Sequence, residues 1–320
     1  MTITGEFAHS ALFYRSDEEY LDALTPFLGD GLTRGEPVAV AAPRARLELL
    51  RPALGGSADR VRWIDMTEAG RNPGRIIPSV LDAFADRHPG RRVRIVGEPV
   101  WAGRSVTEYP ACAQHEALIN HAFAGRGATI VCPYDASALD PAVVDDARAT
   151  HPEVWEDGAR RTSDRYAPDE VIARYNQRLR GSRTGPAITC TADHEVRQTR
   201  HWAAWHARLL GLAEARVPDL ELIVTELATN SLRHSSGGCR VTLWRDGDHL
   251  WCSVEDGGHL TDPLAGRRVP EPAATGGRGL LLVHQLADLV RTHTVPGHTT
   301  QYASLRLRSW AVSPAAWAGW

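Results

Sequence analysis

Apolar positions recur in two different rhythms along this chain, and the change of rhythm divides it into halves. In the first half short continuous apolar runs alternate with helical periodicity. The runs at 8–14, 38–42, 61–65, 93–97 and 128–132 predict strands, and the segments between them predict helices. Ser16 followed by Asp17, Glu18 and Glu19 reads as a helix cap with an acidic first turn, and Leu21, Leu24, Phe27 and Leu28 continue at helical spacing. Further helices are predicted over 44–54, 76–87, 110–124 and 140–149, the last capped by Asp140 with Pro141 behind it. Strands that are apolar on both faces and separated by helices imply a parallel sheet in a three-layer α/β domain.

The second half reads differently. A strand at 187–190 and two long helices at 193–210 and 218–234 come first, with Val196, Trp202, Trp205 and Leu209 on the expected inner face. Alternating stretches at 239–245 and 250–256, joined through Asp246-Gly-Asp, predict an antiparallel hairpin. A long loop over 257–275, a helix over 279–290 and a last strand at 301–307 complete a two-layer α/β sandwich. Between the halves, 155–166 is polar and charge-rich, 168–180 has helical spacing, and 181–186 is a loop of Gly, Ser, Arg and Pro. The expected division is therefore a first domain at 1–165, a linker helix and loop at 166–185, and a second domain at 186–310.

Composition narrows the chemistry. The 36 basic residues are all arginine, which excludes a lysine Schiff base, a lysine general base and a Walker-type phosphate-binding lysine. A net charge of −3 argues against a nucleic-acid footprint. No apolar run is long enough to span a membrane and no leader-like N-terminus is visible, so a cytoplasmic protein is expected. The five cysteines are scattered without paired spacing, as reduced thiols would be.

In a parallel sheet ligands gather outside the carboxyl ends of the strands. Tyr14, Glu98, Trp101 and Tyr134 fall there, and His9 and His115 were candidates to join them in a small-molecule pocket. His9, His115 and Cys132 also offer metal-ligand chemistry, though at no recognisable ligand spacing. In the second half Glu226 and Asn230 lie four residues apart on one helix face. They are followed by Asp256-Gly-Gly258 after a strand and Gly276-Gly-Arg-Gly279 before an apolar helix.

In this order and spacing, those segments resemble the N, G1 and G2 boxes of the GHKL ATP-binding fold. The stretches Glu226-Leu-Ala-Thr-Asn230 through Arg233-His234, and Gly276 to Leu280, most resemble anti-sigma-factor serine/threonine kinases. The resemblance implies ATP and Mg²⁺ as cofactors. It implies Glu226 as general base, Asn230 as the Mg²⁺ ligand, Asp256 and Gly258 at the adenine, and Thr299 beside them. Gly277 and Gly279 would form the phosphate loop, with Arg233 and His234 near the pocket. The G1 segment reads Asp256-Gly-Gly-His and lacks a further glycine of the fuller D-x-G-x-G pattern.

The first half resembles the MEDS sensory domain, named for methanogen and methylotroph regulators. The resemblance is carried by His9 to Tyr14, Arg34 to Pro37, Gly97 to Trp101, His115 to Asn120 and Cys132 to Asp135. Together the two resemblances imply a small-molecule sensor controlling an ATP-binding output. That output would phosphorylate a STAS anti-anti-sigma protein or bind a sigma factor, with a homodimer left open. A catalytically inactive ATP-binding module is the alternative. An atypical histidine kinase is the third reading, weakened because His194, His201 and His206 lie in no paired-helix phosphoacceptor segment.

Overall fold

The computed structural model describes residues 6–179, 184–270 and 276–307. The chain divides into two units, Met1–Tyr175 and Asn176–Trp320. Residues 181–183 of the loop expected at 181–186 fall outside the described residues, as do 271–275 of the loop before the last helix.

The first unit runs β1 (Ala8–Tyr14), α1 (Asp17–Thr33), β2 (Val38–Ala42), α2 (Arg44–Ala53), β3 (Val61–Asp65) and α3 (Met66–Ala69). A π-helical turn over Ile77–Asp82 then leads into α4 (Ala83–Asp86), where one regular helix was expected. Pro78 withholds a backbone donor in that turn. Next come β4 (Val93–Gly97), α5 (Tyr109–Ala122), β5 (Ala128–Asp135), α6 (Pro141–Thr150), β6 (Glu153–Glu156), β7 (Ala159–Thr162) and α7 (Pro168–Arg174). The sheet order is β3-β2-β4-β5-β1-β6-β7, parallel throughout except for β7.

Strand parity sorts the core. Leu12 and Tyr14 of β1 join Leu24, Leu28 and Leu50 from α1 and α2 on one face. His9, Ala11 and Phe13 point to the other face, in register with Ile130, Cys132 and Tyr134 of β5.

Two expectations for this unit are corrected. The polar stretch at 155–166, read without secondary structure at the end of the first domain, supplies the hairpin β6–β7, and Trp155 is buried against Phe27. The pattern was hidden because β7 is Ala-Arg-Arg-Thr, an edge strand whose charge protects it from further pairing. The segment at 168–180 is helical only to Arg174 and packs within this unit. Val171 is fully buried beside Ala113, Ala117 and Ala149. Tyr109 and Tyr175 both donate to buried Asp146, and Arg174 pairs with it.

The second unit runs β8 (Ala187–Cys190), α8 (Val196–Leu209), α9 (Val217–His234), β9 (Cys239–Asp246), β10 (His249–Asp256), α10 (Arg278–Leu286), β11 (Leu289–Val295) and β12 (His298–Arg306). Its antiparallel sheet has the order β11-β12-β10-β9-β8. Ala203 and Ala207 of α8, Leu220, Val224 and Leu227 of α9, and Val283 of α10 cover one face of it.

Here too the sequence reading is corrected twice. Trp205 and Leu209 are 57% and 66% exposed, and the face of α8 that packs inward is Val196, Thr199, Ala203 and Ala207. Those small residues let α8 approach α9 closely. The helix expected to reach 290 ends at Leu286, and β11 follows as a strand paired with β12 around Gly297. Its Val and Thr residues favour a strand, but the apolar start of the segment reads equally well as a helix.

Candidate functional site

The last residue of β10, the C-terminal half of α9 and the start of α10 enclose a cleft of about 570 Å³. That volume suits a small-molecule cofactor. Asn230 and His234 of α9, Asp256, Gly258, Gly277, Gly279 and Thr299 all line it, with Leu227, Leu260, Leu264 and Leu280 as apolar wall.

Asp256 is held from two sides. Gly258 N–H donates to one carboxylate oxygen at 2.7 Å, and the Ser231 hydroxyl donates to the other at 2.5 Å. Thr299 lies opposite Asp256 in the β10–β12 ladder and donates from its hydroxyl to the Gly258 carbonyl at 3.2 Å. The same hydroxyl is 2.8 Å from that of Thr294, which accepts from Leu260 N–H at 2.8 Å. Asn176 fixes Thr294 in turn, accepting from its N–H at 2.9 Å and donating to its carbonyl at 2.7 Å. This chain of bonds sets the backbone beyond β10, where no regular ladder continues.

The glycines are required by space. A Cβ on Gly258 would stand 2.9 Å from Asp256 Oδ1 and 3.2 Å from the His234 carbonyl. A Cβ on Gly279 would stand 2.4 Å from Glu226 Oε2. Gly277 caps α10 at φ +87°, a left-handed conformation that glycine adopts without penalty. Beyond β10 the loop is anchored on α10, because Leu264 is buried and a Cβ on Gly266 would stand 2.6 Å from that of Leu280.

The expected residues do not all stand in equivalent places. Glu226 sits behind Gly279 rather than among the lining residues. Arg233 is exposed one turn along α9 and does not line the cleft. Ser231 was not anticipated. It is adjacent to Asn230 in sequence, but only the fold shows that it faces Asp256.

The residues present suit an adenine nucleotide. Asp256 offers carboxylate lone pairs beside an apolar wall. The start of α10 presents backbone N–H groups where a phosphate would sit. Asn230 contributes an amide oxygen, a ligand type that Mg²⁺ accepts.

In the first unit the six residues expected to share one pocket are separated by the sheet. Tyr14 and Glu98 meet on the α1–α2 face, where the Tyr14 and Tyr20 hydroxyls donate to Glu98 at 3.3 and 3.4 Å. The Arg46 guanidinium lies over both tyrosine rings and also reaches Asp135. Burial pushes the Glu98 carboxyl up to about 8, against the opposing influence of Arg46 and the two tyrosines. His9 and Tyr134 point to the opposite face, and His9 stands at the amino end of β1 rather than on the carboxyl rim. His115 is buried on α5. Trp101 lies beyond β4 beneath the Arg104 guanidinium.

Residues 8–152 match the family described as the methanogen/methylotroph, DcmR sensory domain, MEDS. Residues 189–305 match the histidine kinase-like ATPase domain. No curated protein matches the sequence. Among solved structures, the chain is similar to the RsbU and RsbW domains of Rv1364c from Mycobacterium tuberculosis at 20% identity and a TM-score of 0.29. That match covers 38% of this chain and only 32% of the other. The SiaB–SiaC complex from Pseudomonas aeruginosa is similar at 12% identity and a TM-score of 0.30, covering 38% of this chain and 88% of that one. The catalytic domain of the histidine kinase ThkA is similar at 11% identity and a TM-score of 0.26, with 38% and 95% covered. No helix among the described residues is long and apolar enough to cross a membrane.

Proposed function

We propose that this chain, which joins a MEDS sensory domain to a histidine kinase-like ATPase domain, is a signal-controlled kinase. It transfers the terminal phosphate of ATP to a serine or threonine of a STAS-type anti-anti-sigma protein. The observation that carries the reading is the convergence of Asn230, Asp256, Gly258, Gly277, Gly279 and Thr299 on one cleft, with Glu226 packed against Gly279. The choice of partner rests on the resemblance of the α9 and Gly276–Leu280 segments to anti-sigma-factor kinases.

Each residue has a distinct task. Asp256, fixed by Ser231 and Gly258, accepts a hydrogen bond from the adenine amino group. Thr299 keeps the Gly258 backbone in place for the base to lie against. Asn230 supplies an oxygen to Mg²⁺, which when bound neutralises charge on the phosphates. The N–H groups at the start of α10 orient the phosphate chain. Glu226, on the same face of α9 as Asn230, takes the proton of the attacking hydroxyl. Phosphoryl transfer depends mainly on positioning and charge neutralisation, and the rigid α9–α10 pair provides the positioning.

The deciding experiment is co-purification of partners with and without ATP, followed by phosphosite mapping on the captured proteins. A phosphoserine or phosphothreonine on a STAS-type protein, absent when Glu226→Gln is used, supports the kinase. An unmodified sigma factor as the ATP-dependent partner would replace it with a binding module.

A further inference from the structure

Four side chains remote in sequence meet inside the first unit. They are His9 on β1, Glu116 on α5, Cys132 on β5 and His151 immediately after α6, and all four are buried. One N, O or S atom from each lies within 4.8 Å of the others. His9 Nε2 is 3.4 Å from Cys132 Sγ and 3.4 Å from Glu116 Oε2. His151 Nε2 is 3.1 Å from the same Glu116 oxygen. Atoms bound to a tetrahedral zinc ion at about 2.0–2.3 Å stand roughly 3.3–3.7 Å from one another. These three edges fall at or just inside that spacing, and the other three are no longer than 4.8 Å.

We propose that the sensory unit binds one divalent transition-metal ion, of the zinc class, through His9 Nε2, His151 Nε2, Cys132 Sγ and the Glu116 carboxylate.

The surroundings of the four groups fit ligands better than a buried ion pair. His151 Nδ1 is 2.8 Å from the Ala147 carbonyl, which can only accept, so that nitrogen carries the ring proton. His9 Nδ1 is 3.1 Å from Asn120 Oδ1. The amide of Asn120 is oriented by donating from Nδ2 to the Ala117 and Thr150 carbonyls at 3.1 and 2.8 Å. With Nδ1 of each ring engaged by an acceptor oxygen, it is Nε2 that each ring turns toward the centre of the cluster. A ligating histidine characteristically has its second nitrogen held in this way. The buried Glu116 carboxylate faces the two Nε2 atoms and the Cys132 sulfur, and with the ring protons on Nδ1 neither of its oxygens accepts a hydrogen bond from a histidine. A buried carboxylate is costly unless a positive charge joins it, and a cation among these atoms supplies that charge.

The charges also balance. On loading, the Cys132 S–H bond breaks, the sulfur keeps the electron pair for the metal, and the proton leaves to solvent. One thiolate and one carboxylate then match the two positive charges of the ion, with two neutral imidazoles completing the shell. A neutral centre is the form that a dry interior tolerates best. Mixed N, S and O donors in a four-coordinate set favour zinc over magnesium or calcium, which prefer all-oxygen shells. The ligands come from the adjacent strands β1 and β5, from α5 and from the residue that ends α6, so the ion would fasten the helical layer to the sheet.

The test uses the full-length chain, stripped of metal under reducing conditions and titrated with cobalt(II) as a spectroscopic probe for zinc. One equivalent should bind, with the intense d–d absorption of tetrahedral cobalt and a thiolate-to-metal charge-transfer band, and zinc should displace it. Cys132→Ser should lose the charge-transfer band, and Cys190→Ser, in the other unit, should keep it. X-ray absorption on the zinc-loaded wild-type chain needs no substitution, and should read one sulfur and three nitrogen or oxygen neighbours. A stripped chain that is folded by circular dichroism yet takes up neither ion would overturn the site. So would a metal shell without sulfur, or a Cys132→Ser chain that keeps the charge-transfer band.

Discussion

Asp256 shows how a single side chain can be fixed at the wall of a cleft by its neighbours. With Gly258 N–H on one oxygen and Ser231 on the other, the carboxylate cannot rotate away from the cleft. Asp256→Asn places an amide where two donors already point, and it removes the charge that would strengthen the proposed bond to adenine. ATP and ADP affinity should fall about ten- to a hundred-fold, as expected for a hydrogen bond to a charged group. Calorimetry with unchanged affinity would remove Asp256 from the site. Glu98 makes a different kind of prediction. Its carboxyl is held up to about 8 by burial, from an ordinary value of 4.5. Between those values the folded chain keeps a proton that the unfolded chain has lost, so stability falls as pH rises. The contribution is complete below about 4.5 and gone once pH passes about 8. Glu98→Gln should flatten this part of the stability profile and leave the variant more stable than wild type at pH 8, read by denaturant unfolding across the range. An unchanged slope would show that Glu98 does not titrate in this window. At this scale legibility depended on locality. Glu226, Asn230, Asp256 and Gly279 stand in short segments whose spacing is itself the signal. His151 gave none, because its link to His9, Glu116 and Cys132 exists only once β1, β5 and α5 are assembled.

Elements were legible where they are long and periodic, and less so where neighbours decide. The helices α1, α5, α6 and α9 fall close to their expected bounds, since α1 and α9 carry apolar residues at helical spacing and α5 and α6 open on Pro110 and on Asp140-Pro141. The strands β6, β7 and β11 were missed. The first two have four residues each and β7 has no buried one, while β11 follows α10 so closely that its apolar start extends the helical pattern. The junction of α9 and α10 allows a test of element geometry. Gly279→Ala puts a methyl group 2.4 Å from Glu226 Oε2 and 3.4 Å from Asn230 Nδ2. The Glu226 carboxylate is the flexible partner and should give way while the fold survives. Glu226→Gln alone should slow phosphoryl transfer by about 10²–10⁴-fold with nucleotide binding retained, the usual contribution of a positioned base. Gly279→Ala should slow it through the same carboxylate, so that adding it to Glu226→Gln costs much less than the two effects multiplied. Fully multiplicative losses in single-turnover assays would mean that the glycine and the glutamate act independently.

At the scale of the molecule, the residues just before the division between units have a role that composition concealed. Polar, Pro-started segments such as 168–180 read as linkers, yet α7 belongs to the packing of the first unit. Val171 is fully buried against α5 and Ala149, and full burial of a valine is worth about 1.5–3 kcal/mol. Tyr175 and Arg174 also satisfy Asp146, a buried carboxylate that Tyr109 alone would otherwise serve. A fragment ending at residue 165 loses all of these contacts, whereas one ending at 175 keeps them. The longer fragment should fold with a single cooperative transition. The shorter one should be less stable by at least about 2 kcal/mol, from the lost valine burial and the weakened pairing of Asp146. Within the longer fragment, Val171→Ala should reproduce part of that loss and Asp146→Asn should weaken the hold on Tyr175, both read from denaturation midpoints. Equal stability of the two fragments would mean that α7 only rests on the first unit. A clear difference would make α7 a part of the sensory unit whose last residue is joined directly to Asn176. Asn176 is the residue that fixes Thr294 and, through it, Thr299 and the Gly258 backbone at the cleft of the second unit.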